Sequence, residues 1–526
     1  MSTFDTIIVG SGINSLVCAA LLAERGQRVC VLERSPVLGG CIRTEELTQP
    51  GFRHDTLSTL YPLFVSAPHY AALSNRLAAH GAEFVNAAWP TAVVMPDGRA
   101  AVLSRDRARN AEELERFARG DGNSYARALA DVERSAELTF ALLGAEVRTA
   151  AMVRTLLRYW WRHGFVGLAE YAREGLMTCR AWLATTFRSE VTRALIAPWV
   201  LHVGLGPESA SSALMARVIL FTLEAAGSPM VRGGSAVLVN AFVRLIESQG
   251  GQVHHSAEVD RVLVAGGVAF GVGLQDGREF YAGTAVVCNV TPHQLYGRLL
   301  RNEKFDDAAV SAASARYRFG RGEMQVHLAL DEPPMWSDPR VGEVAMLHVT
   351  PGLDGVSRAV NEAERGLLPT EATIVVAQPT ALDSTRAPAG KSILWIQLQE
   401  LPSRVRGDAA GELEAPPEGR WTAELRERYA DRIITRLSAL IPNLTRSIAG
   451  RAVLSPADLE ALNVNLVGGD PYSGDCSVDQ FLLWRPSLAT TNHRTSIKRL
   501  FHIGASTHPG PGLGGISGYL AAKQIA

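Results

Sequence analysis

The feature that most limits what this chain can fold into stands at its start. Residues 5–34 read DTIIVGSGINSLVCAALLAERGQRVCVLER. A short β-branched run at 6–9 meets a tight turn of Gly10, Ser11 and Gly12. A helical pattern over 13–25 follows, with Leu16, Ala19, Ala20 and Ala23 on one face. Gly26 ends it, and 28–32 is a second strand that closes on Glu33. This order predicts a βαβ unit that binds a dinucleotide. The glycines let backbone approach a pyrophosphate, and the helix N-terminus meets its charge. The Glu33 carboxylate stands where ribose hydroxyls can donate to it. Ser15 occupies the place of the pattern's third glycine.

The far end is as restrictive. Residues 507–526 read THPGPGLGGISGYLAAKQIA, with two prolines and four glycines between 509 and 515. The apolar run 501–504 predicts a strand that returns to the first βαβ unit. Pro509 and Pro511 stiffen the crossing that follows. Gly512, Gly514 and Gly515 permit close backbone approach without a Cβ. A helix from near Ile516 then aims free N–H groups and its positive dipole end back toward the cofactor. Two chain ends at one cofactor make its domain discontinuous.

At 526 residues the chain exceeds one ordinary domain of about 100–200 residues. Its 47% apolar and 20% charged content suits a large core, and a net charge of −1 gives nucleic acid no global attraction. Six cysteines lie far apart with no CxxC pair, and Cys18, Cys30 and Cys288 sit in core-like patterns. Disulfide and metal sites are therefore not expected, and a reducing, cytoplasmic compartment is. The first strand begins within six residues of Met1, so no signal peptide is expected. No run of eighteen apolar residues predicts a membrane span.

Several separated segments resemble one family. After Glu33 comes RSPVLGGCIRTEEL, whose Gly39 and Gly40 are not part of a plain NAD fingerprint. The pair resembles an extension in flavin amine oxidases and phytoene desaturases, where it lets the chain pass the phosphates and ribityl of FAD. Cys41 stands where those relatives often carry Arg, with Arg43 nearby. The segment PGFRHDTLSTLYPLF (50–64), the blocks 233–292, 379–402 and 468–486, and the closing LFHIGASTHPGPGLGGISGYLAAKQIA resemble further parts of the same proteins. Over nearly its whole length the chain is similar to the phytoene desaturase-like branch of the flavin amine oxidase superfamily.

That resemblance implies FAD as cofactor and an α/β fold. A discontinuous Rossmann-type FAD-binding domain (1–75, 229–300 and 495–526) would carry an inserted α+β substrate-binding domain (76–228 and 301–494). It implies FAD contacts from Gly10, Gly12, Ile13, Asn14, Glu33, Arg34, Gly39, Gly40, Cys41, Thr44, Val259, Gly504, Ala505, Gly514, Gly515 and Ile516. The reaction it implies is desaturation or oxidation of an apolar, isoprenoid- or carotenoid-type substrate by hydride transfer to flavin N5, with oxygen or a quinone as acceptor. A carotene ketolase, an amine oxidase, and a flavoprotein with mainly a binding role are the alternatives. His508, within the closing motif, is the candidate catalytic side chain, since an ordinary pKa of about 6.5 suits a proton relay. Its rival role is to brace the Pro–Gly crossing by bonding backbone. His502 and His54 read as structural. The glycine-rich stretch 266–273 reads as a strand meander, so no second dinucleotide site for NAD(P)H is expected.

The insertions carry two further expectations. Residues 150–168, AAMVRTLLRYWWRHGFVGL, form an amphipathic helix with Arg154, Arg158 and Arg162 as a separate stripe. Packing on neighbouring helices with a solvated arginine edge is the favoured role. Peripheral contact with a membrane interface is the other. Residues 403–420 are polar and rich in Pro and Gly, which predicts an exposed loop before a helix at 423–440.

Overall fold

The first strand, Ser2–Val9, lies at the centre of a sheet in this computed structural model, which describes residues 2–301, 314–488, 490 and 492–525. Residues 302–313, inside the second expected insertion, and Ala526, the end of the closing motif, lie outside the described residues. Ser2–Val9 pairs in parallel with Val29–Leu32 on one side and Glu279–Asn289 on the other. Gln252–His254 extends the first edge and Leu500–Ile503 the second, again in parallel. Five parallel strands therefore run in the spatial order 252–254, 29–32, 2–9, 279–289, 500–503.

The strand Glu279–Asn289 serves two partners along one edge. Its first half pairs antiparallel with Val268–Leu274, which pairs with Val259–Ala265. Its second half carries Leu500–Ile503. The meander turns at Gly266, Gly267 and Gly277, all at positive φ where only glycine is unstrained. Helices Ile13–Glu24, Ala236–Ser248 and Ile516–Gln524 pack on one face of the parallel sheet. Ile13–Glu24 is enclosed nearly all round, which is why its sequence is so rich in alanine and leucine.

A second sheet orders its strands as Ile448–Leu454, Gly322–Leu330, Ser392–Leu401, Ile374–Ala377, Val344–Val349, Trp89–Val94 and Ala100–Leu103. Only Val344–Val349 with Trp89–Val94 is parallel. One face, with Met324, Val326, Leu328, Leu394, Ile396 and Leu398, packs on helix Ala423–Ser438. The other faces a helical layer that includes Cys179–Thr186, Glu190–Ile196 and Ser212–Ala226.

Two sequence expectations are corrected here. Residues 403–420 are not simply an exposed loop. Gly407 and Asp408 pair with Leu367 and Leu368, and the buried Asp408 carboxylate holds Arg432 at 2.6 Å. Alternation and polarity could not reveal a two-residue strand fixed by a distant ion pair. The helix at 150 runs to Leu176 with a break at Gly164 (φ 67°), and of its residues only Met152 is buried. It packs only part of its apolar stripe: Met152 is buried and Leu156 half-buried, but Trp161 is 87% exposed and Phe165 75%, with Val153, Leu157, Trp160 and Val166 also exposed. Arg158 and Arg162 both pair with Glu137.

Candidate cofactor and substrate site

The C-terminal edge of the parallel sheet is where glycines converge. Gly10 has φ +90°, as its tight turn requires. A Cβ at Gly12 would lie 3.1 Å from Asn289 Nδ2, and one at Gly40 would lie 3.3 Å from Gly12 Cα. A Cβ at Gly10 would lie 3.2 Å from the Asn289 carbonyl oxygen, so the turn after the first strand meets both the loop after Glu33 and the end of strand Glu279–Asn289 at close range.

Glu33 is 8% exposed, at the end of Val29–Leu32. Its carboxylate accepts from Ser11 N (2.9 Å), Ser11 Oγ (2.8 Å) and Ser35 N (2.8 Å). Ser11 Oγ in turn accepts from Gly39 N at 2.9 Å, so one hydroxyl ties the acid to the second glycine pair. Arg34 is exposed and faces Glu258. Val259 opens its strand two residues after Ala257, whose N–H donates to Glu33 O at 2.7 Å. These groups mark one end of the cradle.

At its other side the closing motif arrives. Gly504 N donates to Ser517 Oγ (2.9 Å), and Ala505 O accepts from the buried Arg485 Nε (2.9 Å). Arg485 also donates to the carbonyls of Tyr472, Gly474 and Asp475, which fixes the 468–486 block against the motif. Gly515 (φ +71°) precedes helix Ile516–Gln524, and a Cβ there would come 2.7 Å from Val17 Cγ2. Gly514 lies beside Leu63. Helix Ile13–Glu24 and helix Ile516–Gln524 both start without a side-chain cap.

The third-glycine position has a different solution from the usual one. Ser15 accepts from Asn289 Nδ2 at 2.9 Å, so a side chain ties the first helix to the neighbouring strand. The close helix approach is supplied by Gly518 instead: a Cβ there would overlap the Asn14 carbonyl oxygen and lie 2.7 Å from its carbon. Asn14 Oδ1 also accepts from Gly518 N at 3.3 Å.

Residues after Gly40 form an anchoring network. Thr44 Oγ1 donates to Asp55 Oδ1 (2.7 Å) and accepts from Ala236 N (3.0 Å). Asp55, fully buried, also accepts from Ser235 N and Thr59 Oγ1, and pairs with the fully buried Arg386 at 2.9 Å. The ion pair joins the 41–61 loop to the end of the second sheet. Burial pushes the Cys41 thiol up to about 11, the opposite of a reactive thiolate.

His508 is buried in the closing crossing. Its Nε2 lies 2.9 Å from Ala145 O, which makes it the donor of that bond, and its own carbonyl accepts from His493 Nε2 at 2.8 Å. Burial lowers its pKa to about 4, so at neutral pH the ring is uncharged. His502 is likewise buried and donates to Val290 O at 2.7 Å.

Ser11, Ser517, Asn289, Gly518 and the Asp55 to Arg386 pair escaped the sequence analysis. Asn289 had a signal, a polar residue closing a buried strand. The others belong to partners up to 504 residues apart, where no local pattern points.

The cradle suits FAD: glycine surfaces that a Cβ would fill, a buried carboxylate at the strand end, and beside them two helix starts whose N-cap residues, Gly12 and Gly515, carry no capping side chain. Fold and cradle together define a flavoprotein with a dinucleotide-binding sheet and a second sheet above its glycine loops. The chain belongs to the flavin containing amine oxidoreductases, whose family model matches residues 16–525. It is 25% identical over 558 residues to pyridine nucleotide-disulfide oxidoreductase domain-containing protein 2 of Mus musculus, covering 99% of this chain and 93% of that one. It is 25% identical to a limonene dehydrogenase chain of Castellaniella defragrans (99% and 94% covered) and 25% to the neurosporene-forming phytoene desaturase of Cereibacter sphaeroides (97% and 92%). Among solved structures, an oxidoreductase from Methanosarcina mazei superposes with a TM-score of 0.64 at 17% identity, with 99% of each chain covered. This protein is an FAD-dependent oxidoreductase.

Proposed function

We propose that this enzyme dehydrogenates or otherwise oxidises an extended, largely apolar substrate of isoprenoid type, passing electrons on to oxygen or a quinone. The carrying observation is that two relatives matched over nearly the full chain are named for limonene and phytoene, both isoprenoid hydrocarbons. An apolar layer is at hand, where Val93, Met346, Val375 and Ala377 of the second sheet face Leu183 and Leu220 of the helices.

Bound FAD supplies the hydride acceptor. In this proposal Glu33 receives the ribose hydroxyls, and the first helix start with Gly10, Gly12 and Gly40 receives the phosphates. The Gly504 to Ile516 crossing receives the flavin end. Segments 1–75, 229–300 and 495–526 hold cofactor, while 76–228 and 301–494 hold substrate. His508 is a positioning residue: uncharged and bonded to Ala145, it pins the crossing. Anaerobic bleaching of the flavin by isoprenoid hydrocarbons, with no bleaching by small amines, is the expected result. Bleaching by amines or small charged compounds alone would overturn the proposal. For His508→Gln, the expected outcome is loss of FAD or thermal stability with normal reduction in the loaded fraction. Retained FAD with reduction slowed about 10²–10⁴-fold would instead mark an acid–base group.

A second proposal concerns where the substrate is met. No described helix is long and apolar enough to cross a membrane. The exposed face of helix Ala150–Leu176, with Trp160 and Trp161 and the exposed Arg154 two turns before them, suits shallow insertion into an anionic lipid surface. Flotation with phosphatidylcholine–phosphatidylglycerol vesicles should be lost in the Trp160→Ser/Trp161→Ser double variant while FAD stays bound. Concentration-dependent self-association that the same variant abolishes, with no flotation, would assign the face to a second copy instead.

A further inference from the structure

The second sheet is apolar on one face but carries a polar patch on the other. Strands Gly322–Leu330 and Ser392–Leu401 are adjacent and antiparallel, with Gln325 opposite Gln397. Alternation places Glu323 and Gln325 of one, and Trp395, Gln397 and Gln399 of the other, on the face away from the helix Ala423–Ser438 core. All five are buried or nearly so.

Their partners do not close the set. Gln397 Nε2 donates to Glu323 Oε2 at 2.7 Å, and Gln399 Nε2 donates to Tyr472 Oη at 3.0 Å. Tyr472 Oη donates to Leu201 O at 2.6 Å. Left without a hydrogen-bond partner among the described residues are both amide atoms of Gln325, Trp395 Nε1 and Gln399 Oε1. Native proteins leave only a few buried polar atoms unmatched per hundred residues, because each costs about 1–3 kcal/mol. Four on one patch of two adjoining strands point to a missing polar group.

The patch adjoins the cofactor cradle. His327, two residues past Gln325 on the same strand face, meets His54 of the loop after Gly40 edge to face, with ring centroids 5.3 Å apart.

We propose that Glu323, Gln325, Trp395 and Gln399 form a subsite that hydrogen-bonds an uncharged oxygen function, a hydroxyl or carbonyl, on the substrate at the flavin end of its site. The unmatched atoms include donors (Trp395 Nε1, Gln325 Nε2) and acceptors (Gln325 Oε1, Gln399 Oε1), which suits such a group. As partners for an anion, burial lowers His327, opposite Trp395 on the same face, to about 4 and so keeps it uncharged, and Arg321 is already taken by Glu364 and the carbonyls of Gly204 and Leu205, with only its Nε unmatched. A cationic amine would require ionised Glu323, whose carboxyl burial pushes up to about 8. This deepens the isoprenoid proposal, on which it rests, by giving that apolar substrate one polar end.

The test is a difference-absorbance titration of the oxidised holoenzyme with farnesene, farnesol and farnesal, and with dodecane and dodecanol. Farnesol or farnesal should bind about tenfold tighter than farnesene, or more. Gln325→Met should bring the pair to within about threefold, while Glu323→Gln, which keeps hydrogen-bonding capacity, should preserve the preference. If Gln325→Met does not hold FAD, Trp395→Phe provides the same readout. Equal binding of farnesene and farnesol, or a preference unchanged in Gln325→Met and Trp395→Phe, would overturn the subsite and leave the isoprenoid proposal standing, with ordered water as the partner of these groups. Dodecanol preferred over dodecane, with no farnesyl compound bound, would keep the subsite and sink the isoprenoid proposal.

Discussion

Replacing Gly518 by alanine tests how the two chain ends are joined at the cofactor. Helix propensity alone predicts a gain, since alanine is better than glycine in a helix interior by about 1 kcal/mol. The structure predicts a loss. The added Cβ would overlap the Asn14 carbonyl oxygen and lie 2.7 Å from its carbon and 3.0 Å from its Cα. The obstacle is backbone inside helix Ile13–Glu24, so no side chain can swing aside. The crossing must open by roughly 1 Å to restore ordinary non-bonded contact. Overpacking of this kind costs about 1–3 kcal/mol, enough to exceed the propensity gain. The opening also moves both helix starts, so FAD retention should fall together with the melting temperature. The assay is flavin absorbance per mole of protein after desalting, alongside thermal unfolding. Gly342→Ala is the control, because a Cβ there meets nothing within 4 Å and its φ is ordinary. A Gly518→Ala protein with full FAD content and a melting temperature at or above the parent would refute the packing argument.

Glu33→Ala should lose most of its FAD, because a charged acceptor worth about 1.5–3 kcal/mol disappears and Ser11 N and Oγ lose their partner; cofactor content after gel filtration decides it. Asp55→Asn should destabilise the protein by about 3–5 kcal/mol in denaturant titration, since Arg386 is left fully buried without its counter-charge. Stability should rise with pH between about 4 and 6.5. Burial lowers His54 to about 2, His202 to about 3, and His327, His502 and His508 to about 4, so folding expels protons from these rings throughout that window. Their contribution is complete above the ordinary value of about 6.5 and is lost as pH falls below it. Melting temperatures at pH 5 and pH 7 that coincide would contradict this sign.

Much of the fold is legible because its decisive signals are local. The turn at Gly10 and Gly12, the helix after it, the meander turns and the terminal helix each rest on residues within a few positions of one another. The polar patch was also written locally, as Glu323 and Gln325 alternating with Met324 and Val326, and as Trp395, Gln397 and Gln399 alternating with Ile396 and Leu398. Such alternation normally signals a solvated outer face. Only the tertiary structure shows that this face is covered and its polar atoms left unmatched. Helix Ala150–Leu176 shows the converse: its apolar stripe is what a packed helix would carry, yet beyond the buried Met152 and half-buried Leu156 most of it stays exposed.

The sequence by itself determined the dinucleotide-binding unit, the glycine-rich close and the turns of the meander, because backbone sterics and short-range periodicity set them. Tertiary structure decided which glycine does which work. Ser15 stands where a glycine was expected, and Gly518, more than 500 residues away along the chain, supplies the close approach because two helices cross there. It also decided the protonation of His508, which is kept uncharged by the enclosing segments that strip its water, while the Ala145 carbonyl accepts a hydrogen bond from Nε2 and so fixes which nitrogen carries the proton. Contacts of this kind depend on which segments the fold brings within a few ångströms, and no spacing along the chain encodes that distance.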